Sequence, residues 1–189
     1  MVNALAADTA PTIRSQEPQD APGISALMGQ PGTFEGTLQL PDMPVASRLE
    51  YLEKVDPASC RLVAVVDDRI VGAAGLHCVS TSLRRAHVRG LGIGIALDWQ
   101  GRGVGRLLIA RLLSWADNWS GVLRVELTVH ADNGRAIALY RSMGFVEEGT
   151  HRAFTLTNGR YVDALFMARL HPEPPQLQAS AQNSSRLTQ

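Results

Sequence analysis

Apolar and polar positions alternate most cleanly over 124–130, where Val125, Leu127 and Val129 are interleaved with Arg124, Glu126, Thr128 and His130. That period of two predicts a strand with one buried face. Ahead of it, between Gly103 and Trp119, apolar Val104, Leu107, Leu108, Leu112 and Trp115 recur at spacings of three and four, the stripe of an amphipathic helix. A further β-rich run, Val88 to Leu97, precedes this helix, so the helix reads as a crossover between two strands. Upstream, Arg61 to Asp67 and Arg69 to Val79 form two more β-rich runs joined by the turn dipeptide Asp67-Asp68. Downstream, a second helix is predicted from Asn133 to Met143, ended by Gly144. Phe145 to Leu156 and Arg160 to Arg169 then flank Asn158-Gly159, a strong hairpin signal. Near the start, Thr12 to Ser15 reads as a short strand and Glu17 to Met28 as a helix with apolar Ile24, Leu27 and Met28. Gly29 to Pro44 reads as a loop of a length that tends to be functional, and Pro44 to Lys54 as a helix presenting Val45, Leu49 and Leu52. The order predicts a mixed α/β fold.

Length and charge narrow the picture. A chain of 189 residues accommodates one domain, placed at 11–170, with an N-terminal extension at 1–10. Residues 171–189, rich in Pro, Gln, Ser and Ala, read as a disordered tail. Basic and acidic residues balance at 18 each, so no general field exists for gripping nucleic acid or anionic lipid. Arg84, Arg85 and Arg89 form a basic cluster, read as a solvated turn or the rim of an anion site, and no nucleic-acid or membrane partner is expected. No run approaches the ~18 apolar residues of a membrane span, and Met1 to Ala10 lacks a cationic leader segment, so the reducing cytoplasm is the default location. Cys60 and Cys78 match no metal spacing and are read as buried small hydrophobes; no metal is expected.

Candidate chemistry concentrates where the Val88 run becomes the crossover helix. Gln100-Gly101-Arg102-Gly103-Val104-Gly105-Arg106 sets three glycines at a helix start, where unpaired amides and the helix dipole favour a phosphate. Arg102 and Arg106 add charge beside it. The glycines also suit close packing of a helix on a sheet. The Lys-Ser/Thr pair of a nucleotide-hydrolysing loop is missing, and the spacing G-x-G-x-G departs from the dinucleotide fingerprint. A phosphate-bearing ligand bound without metal fits best.

The run Gln100 to Gly105 resembles the Q/R-x-x-G-x-G/A signature of the GNAT superfamily of acyl-CoA-dependent N-acetyltransferases. Asn133-Gly-Arg-Ala136-Ile-Ala-Leu-Tyr140-Arg-Ser-Met-Gly144-Phe145 is similar to that family's downstream segment. Glu126-Leu-Thr-Val, Gly149-Thr150 and Asn158-Gly-Arg-Tyr-Val-Asp163-Ala resemble bacterial L-amino-acid N-acetyltransferases. The likeness covers about Thr12 to Leu170. It implies a mostly antiparallel central sheet of six to seven strands, splayed between central strands and flanked by about four helices.

The resemblance also implies acetyl-CoA as co-substrate and direct transfer of acetyl to a primary amine in a ternary complex. The diphosphate is expected on the amides of Arg102 to Arg106, with Gln100, Gly101 and Asn133 nearby and the pantetheine arm along Ile95, Ala96 and Leu97. A bulge at Gly92 or Gly94 is expected to open the slot, and an amide near Ala96 or Leu97 to polarise the thioester carbonyl. Tyr140 is the candidate general acid for the leaving thiolate, against the alternative that it only fills the helix stripe. Glu126 and His130 are candidate bases through water, with weaker claims for His77 and His87; Glu126 could instead pair with a cation and His130 close its strand. Phe34, Glu35, Leu38 and Met43, with the hairpin around Asn158, are expected to wall the acceptor side, and Asp163 to position substrate. An L-amino acid is the leading acceptor. Polyamines, aminoglycosides, an acidic herbicide-like amino acid, a protein N-terminus and a non-catalytic acyl-CoA-binding module are the alternatives, and a homodimer is a candidate assembly.

Overall fold

The computed structural model describes residues 10–54 and 56–176. Seven strands, β1 (Thr12–Ser15), β2 (Cys60–Val66), β3 (Arg69–Cys78), β4 (Val88–Ile95), β5 (Arg124–His130), β6 (Val146–Thr157) and β7 (Arg160–Leu170), form one open sheet. Their spatial order is β1-β2-β3-β4-β5-β7-β6, and every neighbouring pair is antiparallel except β4 and β5. Helices α1 (Ala21–Met28) and α2 (Val45–Glu53) lie between β1 and β2; α3 (Val104–Trp119) connects the parallel pair, and α4 (Gly134–Ser142) follows β5.

Two hairpins form where the sequence calls for them. Asp67 and Asp68 both adopt positive φ, 46° and 61°, as do Asn158 and Gly159 at 49° and 75°. Such paired left-handed residues match the twist of the strands they join. Replacing Gly159 by Ala is expected to cost about 1 kcal/mol in thermal or urea unfolding, because a Cβ is disfavoured at that φ.

The main core lies between the sheet and α3 with α4. Val104, Leu108, Ile109, Leu112, Leu113 and Ala116 are the buried positions of α3, and each fully buried leucine contributes roughly 2–3 kcal/mol over its exposed state. The stripe is rotated from the sequence reading: Leu107 is 47% exposed and Trp115 is half-buried, because Ile109 and Leu113 take the sheet-facing places. A second, smaller core joins Ile24 and Leu27 of α1 to Val63, Ile70, Ala73 and Ala96 on the other face. No residue of α2 is buried, although Leu52 packs partly against that second core.

Three expectations are corrected. Residues Glu17 to Asp20 form a 3-10 turn before α1 rather than its first turn, since Glu17 and Asp20 cap one another reciprocally. Cys78 is exposed, lying beyond Leu76, the last core position of β3, while Cys60 is half-buried and free. Arg89 is buried and donates to the carbonyls of Ala58, Ala86 and Val88, so it ties loops together rather than forming a solvated rim. Of the expected termini, residues 1–9 and 177–189 lie outside the described residues. His171 belongs to the domain: its amide bonds the Leu123 carbonyl and its ring the Asp117 carbonyl, both at 2.9 Å.

Candidate active site

The parallel pair at the centre of the sheet comes apart. β4 and β5 are in register only at Val88–Arg124, Arg89–Val125 and Gly90–Glu126, after which the strands diverge. No bulge produces this: β3 and β4 stay in continuous register through Gly92 and Gly94. The glycines serve other ends. A Cβ on Gly94 would press on Met28 at 2.9 Å, whereas one on Gly92 would meet nothing within 4 Å.

Backbone polarity makes the gap a binding surface. Ala96 donates its amide to the Val71 carbonyl at 2.9 Å. Antiparallel ladders bond every second residue, so Ile93 and Ile95 turn their amides and carbonyls away from β3, toward the side β5 has left. On the far wall Ala131 donates to the Asp163 carbonyl at 2.9 Å, which by the same alternation leaves the backbone of Thr128 and His130 facing the gap. Of the two candidate carbonyl-polarising amides, Ala96's is thus committed to the sheet. Leu97 opens a 3-10 turn, Leu97–Trp99, and its amide has no partner inside that turn.

Two chambers meet across the gap. The smaller, about 260 Å³, is lined by the glycine turn, Asn133, Arg135 and Tyr140; the larger, about 670 Å³, lies toward α2. Gly36, Thr37, Ile93, Thr128 and Tyr140 border both. The loop 29–44 crosses this junction, held by Thr33, whose hydroxyl donates to the Ile95 carbonyl at 3.2 Å.

The glycine turn suits a diphosphate. Gly101 and Gly103 have φ of 79° and 83°, and a Cβ on either would meet no protein atom within 4 Å, so the outer face is open. No side chain caps α3. The first intrahelical bond runs from the Leu107 amide to the Gly103 carbonyl, which leaves the amides of Gly103 to Arg106 without helical partners. Val104 is buried in the core and can offer only its amide. Arg102 stacks over the Trp99 ring at 4.9 Å, and Arg106 bonds the Ser142 hydroxyl at 2.7 Å. Gln100 acts as a brace, donating to the Ile95 carbonyl and accepting from Arg135. Asn133 caps α4 through its side chain on the Ala136 amide at 3.1 Å.

Tyr140 is packed in the core, with its ring 5.8 Å from Phe145, and burial pushes its pKa up to about 12. Glu126 borders the larger chamber with both oxygens engaged, Oε1 by Arg85 at 2.8 Å and Oε2 by Arg124 at 2.9 Å. His77 and His130 line the same chamber, and His87 does not. The His77 ring is open to the chamber, yet the protein mass around it holds its pKa below the usual histidine value.

The lining of the large chamber differs from the acceptor wall expected from the sequence. Leu38 and Met43 line the large chamber, joined by Thr37 and Gln39, but Phe34 and Glu35 do not. The Glu35 carboxylate turns back onto the Gly32 amide within its own loop. Asp163 also lies off the chamber, because its carboxylate accepts from Ala153 at 2.8 Å and secures an irregular stretch of β6 where Ala153 has φ 50°. The tip at Asn158 is likewise absent from the lining, to which β6 and β7 contribute Phe154 and Phe166. Sequence reasoning missed Ile93, Thr128 and Arg48. The first two had a signal, a residue between two strand glycines and a polar position in an alternating strand; Arg48 had none. Neither cysteine lines a chamber, and among the described residues no cluster of three His, Cys, Asp or Glu side chains could hold a metal.

Comparison with known proteins agrees with this geometry. Residues 32–145 match the model of the Acetyltransferase (GNAT) family. The L-amino acid N-acetyltransferase AaaT of Escherichia coli is 39% identical over 84% of this chain and 96% of its own. Vibrio cholerae spermidine N-acetyltransferase, solved with CoA and spermine, superposes with a TM-score of 0.74 at 28% identity, over 86% of this chain and 96% of that one. YncA of Salmonella typhimurium, solved with its cofactor acetyl-CoA, superposes with a TM-score of 0.77 at 20% identity, covering 90% and 99%. A parallel pair that parts ahead of a glycine turn fits an acyl-CoA-dependent transferase. The chain belongs to the GNAT family and is an acetyl-CoA-dependent N-acetyltransferase.

Proposed function

We propose that the protein acetylates the primary amine of a small molecule, an L-amino acid, by direct attack within a ternary complex. The observation that carries this reading is the meeting of two chambers at Tyr140, one suited to a diphosphate and its arm, the other to an acceptor. The similarity to AaaT over nearly its whole length supports the amino-acid acceptor.

When bound, acetyl-CoA supplies an acetyl thioester whose carbonyl carbon accepts the amine and whose sulfur leaves as a thiol. The chain's own residues align and polarise. The open amides of Gly103 to Arg106 hold the diphosphate, and the outward backbone groups of Ile93 and Thr128, with the Ile95 amide, seat the arm like an added strand, the Ile95 carbonyl being taken by Thr33 and Gln100. The Leu97 amide serves as a donor to the acyl oxygen. Tyr140 keeps a proton on its phenol oxygen for the departing sulfur. In a free amino acid the adjacent carboxylate holds the α-ammonium pKa above that of a peptide N-terminus, so the amine is mostly protonated at pH 7 and must give a proton to a base before it attacks. His77 and His130, lining the large chamber, receive it through water, and Glu126, tied to two guanidinium groups, anchors that water.

Free thiol release is expected from acetyl-CoA with one or a few of the twenty L-amino acids, and not with spermidine, an aminoglycoside or a short peptide. Thiol release with a peptide or polyamine alone would reassign the acceptor. Tight CoA binding with no turnover in the whole panel would make the protein a binding module.

A further inference from the structure

The larger chamber carries an unbalanced charge. Its lining contains one carboxylate, Glu126, and that group is answered by Arg85 and Arg124. Two more guanidinium groups, Arg48 of α2 and Arg61 of β2, line the same chamber, and among the described residues neither forms an ion pair.

Arg48 is the less satisfied. Its Nη2 donates to the Gln39 side-chain carbonyl at 2.7 Å, while its Nε is shielded from solvent and has no hydrogen-bond partner. Burial presses the Arg48 pKa below the usual guanidinium value. Arg61, by contrast, donates to the Tyr51 and Lys54 carbonyls and stacks on the Tyr51 ring at 4.2 Å. A partly desolvated cation with an unmet donor destabilises the free protein unless an anion arrives. The guanidinium fork matches a carboxylate in shape as well as charge.

We infer that Arg48, supported by the field of Arg61, recognises the carboxylate of the acceptor amine and so selects α-amino acids over amines without one. The inference rests on the amino-acid reading and names the residue that enforces it. A carboxylate bound near α2 directs the amino end of the same molecule toward the junction at Tyr140. The same positive wall repels a polyamine, whose several ammonium groups find only the already paired Glu126.

The test compares the twenty L-amino acids with the carboxamides of the same side chains. In the wild-type protein the acids are expected to have the lower KM. Arg48→Gln is expected to raise KM for the acids about 30-fold, to change KM for the amides less than threefold, and to leave acetyl-CoA affinity unaltered. Arg48→Lys, which keeps the charge and loses the fork, should recover part of the loss for acids only. Acetyl-CoA binding by both variants establishes that they are folded. Wild-type turnover of acids and amides with equal KM, or an equal loss for both in Arg48→Gln, overturns the inference and leaves amine acetylation standing. Absence of turnover with every amino acid removes the amino-acid reading and this inference together.

Discussion

Tyr140→Phe is expected to lower kcat about 100- to 1,000-fold while the dissociation constant for acetyl-CoA changes less than threefold, since a positioned general acid contributes 10²–10⁴. Phe retains the ring that packs against Phe145 in the core, so the variant removes one oxygen and little packing. The magnitude of the tyrosine's pKa decides how it acts. With the phenol at about 12 and a free thiol near 8.5, full proton transfer is uphill by roughly 5 kcal/mol in the unbound reference. Tyr140 therefore acts first as a hydrogen-bond donor to developing charge and surrenders its proton only to a sulfur whose thiolate is itself desolvated. The sign of the pH dependence follows. The phenol stays protonated below about 12, so it imposes no alkaline decline in the ordinary range, and kcat/KM rises with pH as the acceptor amine loses its proton. Unchanged kcat in Tyr140→Phe would remove the residue from the chemistry. An alkaline limb near pH 10 that disappears in the variant would show a phenol far more acidic than its burial allows.

Gly103→Val is expected to raise the dissociation constant for CoA about 100-fold. Gly103 has φ 83° at the entry to α3, and any side chain there is strained by roughly 1–2 kcal/mol. The added atoms would meet no protein, because a Cβ at this position has nothing within 4 Å. They would occupy the space in front of the unpaired amides, where the diphosphate is proposed to sit. Acetyl-pantetheine, a thioester lacking the diphosphate, separates the two effects. Its kcat/KM should change less than fivefold in Gly103→Val. Equal losses for both thioesters would mean that the turn shapes the fold and does not grip phosphate.

The two sites differ in how they could be found from residue order. The glycine turn and the helix after it are a contiguous segment, and backbone geometry there is dictated by neighbours: positive φ demands glycine, and a helix start exposes amides whatever surrounds it. Tyr140 likewise sits on a helix whose cap, Asn133, and whose terminating Gly144 are local features. The large chamber, proposed for the acceptor, is assembled from α1, the loop before α2, α2 itself, β2 to β5 and the far hairpin, and no periodicity relates those positions. Glu35 and Asp163, which do not line it, show why. Both are acidic residues on suitable segments, and both spend their carboxylates on nearby backbone amides, a choice visible only once the loop and the irregular strand have their shapes.

Periodicity, turn residues and the glycine run were enough to place the strands, the crossover helix, the glycine turn at its start and the helix that carries Tyr140, because each depends on interactions spanning a few residues along the chain. Where β4 and β5 part after Gly90–Glu126, which backbone groups then face the gap, and which charges are left unanswered beside it emerged from the folded molecule alone. Those properties are sums over through-space neighbours from distant segments, and pairing, burial and charge compensation have no value until those neighbours are assembled.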